Sequence, residues 1–83
     1  MIVLQYFDYN GSMDDLEKRT KQVEKVANAT EGVKFMGRYA PHNRKFHFVF
    51  VYEAESYNHM WNAWNKLERD YNVMSHVVIE LLG

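Results

Sequence analysis

The chain has 83 residues, ten Lys and Arg against eleven Asp and Glu, a formal net charge of −1 and no cysteine. This length predicts one domain, residues 1–83, in which one layer of helices packs on one sheet. The balanced charge predicts no nucleic-acid or membrane partner, and the missing cysteine excludes disulfides and thiolate metal sites. Because no basic leader opens the sequence and no apolar run reaches membrane-spanning length, we expect a cytoplasmic protein.

The first two predicted elements are a strand and a helix. Residues 2–9 are rich in β-branched and aromatic side chains and end at an Asn-Gly pair, which favours a strand followed by a turn. Ser12 then offers an N-cap to a helix whose inward side chains recur every three or four residues. These are Met13, Leu16, Thr20, Val23 and Ala27. The opposite side pairs acids with bases four residues later, such as Asp15 with Arg19, which is typical of a solvated helix face.

The chain is organised around its predicted third strand, residues 44–53. Aromatic side chains occupy every second position, and His47, Val49 and Val51 alternate with them, so both faces of this strand are largely apolar. The aromatic positions are Phe46, Phe48, Phe50 and Tyr52. Such a strand belongs in the middle of a sheet and needs cover on both sides.

The second strand, residues 33–40, is predicted to form a hairpin with the third. His42 and Asn43 provide the tip, and this turn sets the register between the two strands. The predicted pairs are Tyr39 with Phe46, Gly37 with Phe48, Phe35 with Phe50, Arg38 with His47 and Met36 with Val49. A loop with an odd number of residues would instead exchange the two faces of one strand relative to the other.

The last two predicted elements are a helix over residues 55–71, capped near Ser56, and an apolar strand over residues 73–82. One side of this helix carries an apolar stripe. Its members are Tyr57, Met60, Trp61, Trp64, Leu67 and Tyr71. Two tryptophans at three-residue spacing resemble a cofactor-binding stripe, but the apolar side chains beside them favour packing of the helix on the sheet.

The element order β-α-β-β-α-β predicts an α+β, ferredoxin-like fold. Right-handed crossovers then give a four-stranded antiparallel sheet with both helices on one face and the first and third strands at the centre. The helix-covered face should hold the aromatic side chains. We expect there Phe35, Tyr39, Phe46, Phe48, Phe50, Val77, Ile79 and Leu81.

The face without helices is predicted to be apolar with a few polar groups. Its expected members are Gln5, Phe7, Met36, Arg38, His47, Val49, Val51, His76 and Val78. A face of this character predicts a homodimer, with no limit on higher assembly, in which two sheets enclose a pocket for a small apolar or aromatic ligand. Gln5, Phe7, Met36, Val49 and His76 would be its ligand-binding residues. The alternative is a dimer interface without a pocket, in which the polar groups of the two protomers hydrogen-bond to each other.

The whole chain resembles the dimeric α+β barrel superfamily in element order, element lengths, the Glu31-Gly32-Val33 opening of strand two and the aromatic strand three. Within it, the resemblance is to small stand-alone domains of uncharacterised function and to the antibiotic-biosynthesis-monooxygenase-like branch. It implies a homodimer closed by sheet packing. Activities known in that superfamily include cofactor-independent monooxygenation, haem degradation, muconolactone isomerisation and ligand sensing. Haem-degrading members carry Asn, Trp and His where this chain has Gln5, a phenylalanine and a displaced His59, so no haem or other cofactor is expected.

A catalytic alternative follows from the predicted pairing of His47 with Arg38. The guanidinium would keep the imidazole neutral, so that His47 could act as a general base while Arg38 holds an anionic oxygen of the substrate. This chemistry would suit a cofactor-independent monooxygenase or isomerase. No metal is expected, because only His47 and His76 are predicted to share a face and no carboxylate motif accompanies them.

A second alternative is an RNA-binding module. Residues 44–49, Arg-Lys-Phe-His-Phe-Val, partly match the strand-three motif with which RNA-recognition domains stack bases. Lys45 and His47 replace the two small residues of that motif, and the balanced charge disfavours RNA. The sequence therefore favours a ligand-binding homodimer and leaves open whether it is an enzyme.

Overall fold

A computed structural model describes residues 1–42, 45–74 and 76–83. Its elements are β1 (Ile2–Phe7), α1 (Met13–Asn28), β2 (Val33–Tyr39), β3 (Phe48–Ala54), α2 (Tyr57–Asn65) and β4 (Val78–Leu82). The sheet has the strand order β2-β3-β1-β4, and each neighbouring pair is antiparallel. This α+β arrangement of an open four-stranded sheet and two helices is compatible with the ferredoxin-like fold. As predicted, β3 and β1 occupy its centre.

Both helices pack on the same face of the sheet and share one core. The buried side chains are Val3, Phe7, Leu16, Val23, Ala27, Val33, Phe35, Phe50, Tyr52, Ala54, Met60 and Ala63. The aromatic members meet at the centre, where the ring centroids of Phe7 and Phe50 are 4.6 Å apart and those of Phe35 and Phe50 are 5.5 Å apart. Within the described residues, no helix has the length and apolar character needed to cross a membrane.

The predicted start of α1 is confirmed. The Ser12 hydroxyl accepts a hydrogen bond from the Asp15 N–H at 3.1 Å, and the helix begins at the next residue, Met13. This bond satisfies one of the N–H groups that a helix start leaves without a partner. The buried stripe of α1 then consists of Leu16, Val23 and Ala27.

The second helix is shorter than the pattern predicts and ends at Asn65 rather than at residue 71. Its last turn tightens, because the N–H groups of Lys66 and Leu67 bond to carbonyls only three residues back. The chain then leaves α2 and crosses to β1. The last strand is correspondingly reduced to Val78–Leu82, and Val73 forms only an isolated bridge to Tyr9.

The predicted hairpin register is wrong: Phe35 lies opposite Tyr52 rather than Phe50, a shift of two residues, and a bulge in β2 makes the shift three residues from Gly37 onward. Phe35 lies opposite Tyr52, but Gly37 lies opposite Val51, so one extra residue of β2 is inserted between these pairs. Gly37 has a φ of +125°, a conformation that glycine adopts without steric cost. Beyond the bulge the alternation of faces is reversed, and Arg38 lies opposite Phe50 on the helix side.

Strand β3 begins at Phe48 rather than at residue 44. Asn43, half of the predicted tip, and the following Arg44 lie outside the described residues. Because the chain is not yet a strand at Phe46, this side chain does not follow the alternation of the aromatics after it. Its ring packs on Tyr6, with centroids 6.0 Å apart, on the sheet face opposite the helices. Tyr39 also lies on that face, opposite Val49. Both had been predicted on the helix side.

Candidate functional site

The main candidate site is a cleft of about 330 Å³ between the helix side of the sheet and the chain that follows α2. The lining is partly aromatic and partly polar. It consists of Gln5, Phe7, Arg19, Val23, Phe50, Tyr52, Trp64, Leu67, Glu68, Arg69, Asp70, Val73 and Met74. A cavity of about 300 Å³ or more with mostly apolar walls and a few fixed polar groups is typical of small-molecule sites.

One wall of the cleft is formed by residues 67–74, which we call the closing segment. Asp70 anchors this segment, because its carboxylate accepts hydrogen bonds from the Tyr9 hydroxyl at 2.8 Å and from the Asn72 N–H at 2.9 Å. Two backbone hydrogen bonds also tie the segment to the residues that follow β1. The Asn10 N–H donates to the Asn72 carbonyl at 2.7 Å, and the Met74 N–H donates to the Asp8 carbonyl at 2.9 Å. Because α2 ends at Asn65, the closing segment is free to run along the sheet, and these hydrogen bonds hold it there as a wall of the cleft.

The opposite wall carries a small polar group within the aromatic core. The Tyr52 hydroxyl donates a hydrogen bond to Gln5 Oε1 at 2.7 Å. Burial raises the pKa of the Tyr52 phenol, and hydrogen bonding from the Trp64 indole and the charge of the Arg19 guanidinium oppose this shift without cancelling it. Trp64 packs edge-on against Tyr52, with ring centroids 6.2 Å apart.

Arg19 and Asp70 face each other across the rim of the cleft. Their side chains are 14% and 16% exposed, and Arg19 Nε lies 3.8 Å from Asp70 Oδ2. The guanidinium also donates to Gln22 Oε1 at 3.0 Å. The charge of this rim is therefore balanced within the protein. The i, i+4 spacing of Asp15 and Arg19 predicted a solvated side chain, but the closing segment covers Arg19.

The structure separates the two residues predicted to act in catalysis. Arg38 donates to Thr20 Oγ1 at 3.0 Å and forms an ion pair with Glu17, so it is tied to α1 rather than paired with His47. His47 instead pairs with Asp8, whose Oδ1 lies 2.8 Å from both the backbone N and the imidazole Nδ1 of His47. These two bonds lower the pKa of the Asp8 carboxyl. The His47 side chain is 82% exposed, so water competes for its imidazole.

The predicted ligand-binding residues fall into two groups. Gln5 and Phe7 lie on the helix side and line the cleft, so their assignment to the uncovered face is wrong. The reason is the phase of β1, in which the odd-numbered residues from Val3 to Phe7 face the core. Val49 lies on the opposite face, and Met36 lies at the bulge. His76 stacks on Phe46 with ring centroids 5.9 Å apart.

The uncovered side of the sheet is a second candidate surface, which we call the open face. Its centre is apolar, and its edges are charged. It contains Ile2, Leu4, Tyr6, Lys34, Tyr39, Val49, Val51, Glu53, Val78, Glu80 and Leu82. A hollow of about 240 Å³ lies beside Tyr6 and Phe46. Hydrogen bonding to Glu80 raises the pKa of Tyr6. Arg38 and Gln5, which were predicted to supply polar groups to a pocket on this face, both lie on the helix side instead.

Two other features are weaker candidates. A hollow of about 740 Å³ lies near the start of β1, but its charged side chains, Lys34, Glu53 and Glu55, are all exposed. His59 accepts or donates at Nδ1 with Ser56 Oγ at 2.7 Å, and this contact belongs to the N-cap of α2. Among residues 1–42, 45–74 and 76–83, no three His, Asp or Glu side chains form a group that could hold a metal ion.

The fold and the cleft define an α+β protein with an open antiparallel sheet and an internal site of ligand size. Comparison of the sequence with protein-family models finds no match. Comparison with curated proteins finds no match either. Function is therefore inferred from the geometry of the cleft and the open face.

Sequence reasoning missed three of the groups that define the cleft. Asp70 was placed inside a helix, Arg19 on a solvated face, and Trp64 among the apolar residues that pack a helix on the sheet. One signal could have identified the segment. The Asp-Tyr-Asn run at residues 70–72 is rich in side chains that favour turns, and it interrupts the apolar stripe of α2.

Proposed function

We propose that the chain is a homodimeric small-molecule-binding domain, which pairs through the open face and holds a small, partly apolar ligand in the cleft of each protomer. The observation that carries the ligand-binding proposal is the cleft of about 330 Å³, whose aromatic wall contains Tyr52 and Trp64 and holds the Tyr52–Gln5 hydrogen bond. A concave site of this size that combines aromatic walls with a few fixed polar groups is typical of small-molecule sites.

Pairing through the open face is supported by the distribution of side chains. Leu4, Val51 and Val78 are only half-buried, and no helix of the described chain packs over them. The charged residues Lys34 and Glu53 lie at one corner of this face, away from its apolar centre. An apolar centre with a charged rim is typical of protein interfaces.

The two alternatives receive less support. His47 could not act as a general base with the help of Arg38, because Arg38 bonds to Thr20 instead. His47 is also largely exposed, so water would compete with a substrate for its imidazole. RNA stacking would need Phe46 and Phe48 on one exposed face. Phe48 instead packs on the core residue Phe7, with centroids 5.7 Å apart, and Phe46 is only 7% exposed.

Ligand binding in the cleft can be tested with N-phenyl-1-naphthylamine, a neutral aromatic dye that fluoresces in apolar sites. We expect saturable binding with one dye per chain. The variant Val73→Phe places a larger side chain in the cleft and should weaken binding at least tenfold. Val77→Phe makes the same change at a side chain that is 37% exposed and does not line the cleft, and it should leave binding unchanged. Absence of saturable binding, or equal effects of the two variants, would contradict the proposal.

A further inference from the structure

We infer that Asn10 is a site of spontaneous deamidation, in which its side-chain amide becomes a carboxylate, and that this change loosens the closing segment of the cleft. The chemical step is independent of what the cleft binds. Its expected effect on ligand affinity rests on the proposed function.

The reaction requires only the Asn10-Gly11 pair and water. The Gly11 backbone nitrogen attacks Asn10 Cγ and forms a C–N bond. The bond from Cγ to the side-chain nitrogen breaks, and that nitrogen leaves as ammonia with the proton that the Gly11 nitrogen loses. Water then opens the cyclic imide at either carbonyl carbon and gives aspartate or isoaspartate, in which the main chain runs through the side-chain carbon. Glycine favours the attack because it has no side chain and restricts the backbone least.

The fold leaves this pair open to the reaction. Asn10 is exposed and lies in the connection between β1 and α1, outside any helix or strand. Neither its side-chain amide nor the Gly11 N–H makes a hydrogen bond to another residue that the structure describes. The Gly11 nitrogen can therefore attack without first losing a partner.

The other described asparagines are protected, because the N–H that would attack is already bonded. The N–H that follows each helical asparagine is bonded within the helix or at its end, as the Ala29 N–H is to the Lys25 carbonyl at 3.1 Å. The Val73 N–H, which follows Asn72, donates to the Asp70 carbonyl at 3.1 Å. These protected asparagines are Asn28, Asn58, Asn62, Asn65 and Asn72.

Modification at Asn10 would disturb the contacts that hold the closing segment. The Asn10 N–H donates to the Asn72 carbonyl at 2.7 Å. Gly11 packs so closely that a Cβ there would lie 2.6 Å from Tyr9 Cε2 and 3.1 Å from Asn72 Nδ2. Isoaspartate lengthens the main chain between Asn10 and Gly11, so the bond to Asn72 and this close packing cannot both be kept. Tyr9 also holds Asp70, so the disturbance reaches the anchor of the segment.

The chemical step is tested by incubation of the native protein in mildly alkaline buffer, followed by peptide mapping with mass spectrometry. Asn10 should gain the mass difference between an amide and an acid, at a rate comparable with that of a synthetic peptide of residues 6–14. Asn72 in the same sample should stay unmodified, and Asn10→Gln, which keeps a neutral amide, should show no gain at this position. An unmodified Asn10 in the native chain after the peptide has been converted, or equal modification of Asn10 and Asn72, would overturn the inference.

The loosening is tested on the wild type alone, after ion exchange has separated the isoaspartate form from the unmodified protein. Hydrogen exchange of the Asn72 and Met74 amides should be faster in the isoaspartate form, whereas that of the Tyr52 amide in β3 should be unchanged. The loss of a hydrogen bond that holds the segment should weaken binding of N-phenyl-1-naphthylamine roughly fivefold. Equal exchange or equal dye binding in the two forms contradicts the inference. If the dye binds neither form, the proposed function fails, and the mass and exchange results still decide the inference.

Discussion

Replacement of Phe50 by alanine is expected to lower the free energy of unfolding by about 3–5 kcal/mol. Phe50 is 4% exposed, and its ring contacts Phe7 and Phe35 at the centre of the core. The loss comes from the apolar surface that is no longer buried and from the cavity that the missing ring leaves. A domain of this kind has a total stability of about 5–15 kcal/mol, so the variant should lose a large part of its stability.

Urea denaturation followed by circular dichroism measures this loss. Measurements at several protein concentrations are needed, since pairing of the chains would contribute to apparent stability. Tyr71→Ala is the matched control, because this aromatic side chain is 84% exposed and should change the stability by no more than about 0.5 kcal/mol. Equal losses in the two variants would contradict the placement of Phe50 at the centre of the core.

Val51→Lys is expected to convert a dimer into a folded monomer. Val51 lies on the open face opposite Leu4 and Gly37, near the middle of the apolar area. A lysine there would bury an unpaired charge in the dimer but could extend into water in the monomer. Val49 is less suitable for this purpose, because it is only 6% exposed and a charge there would also disturb the monomer.

Light scattering should give a mass near twice 10.0 kDa for the wild type and near 10.0 kDa for Val51→Lys, with unchanged circular dichroism. Met13→Lys makes the same kind of change at a side chain on α1 that is 57% exposed, and it should remain dimeric. A wild type that is monomeric at all concentrations, or a Val51→Lys variant that stays dimeric, would contradict pairing through the open face.

The elements themselves were predictable because their signals are local. The Ser12 cap, the three- and four-residue spacing of α1 and the alternation in β3 each depend on a few neighbouring residues. The central place of β3 followed from its two apolar faces. These features do not depend on how distant parts of the chain meet.

Register and faces were not predictable in the same way. Gly37 permits a bulge, but nothing local to the sequence requires that β2 insert its extra residue there. This insertion places Arg38 on the helix side. The pairing of Arg38 with His47, on which the catalytic alternative depended, is absent because the register is shifted along the whole hairpin and β3 begins only after His47. The register and the length of the strand thus explain why correct elements gave an incorrect site.

The cleft was missed because it is built by contacts between distant segments. Arg19 has the spacing of a solvated side chain, and only the closing segment, about fifty residues later, covers it. Trp64 fits an apolar stripe, and its place against Tyr52 in the wall of the cleft becomes evident only when its neighbours are known. A pattern along one helix cannot show which distant side chains that helix meets.

The most direct test of ligand binding in the cleft is the ¹H–¹⁵N spectrum of the two tryptophan indoles during a titration with N-phenyl-1-naphthylamine. Trp64 is buried against Tyr52, whereas Trp61 is 51% exposed. We predict that the Trp64 indole resonance moves saturably and that the Trp61 resonance moves little. A saturable shift of Trp61 with Trp64 unmoved would place the ligand outside the cleft and contradict the proposed site, as would the absence of any shift at saturating dye.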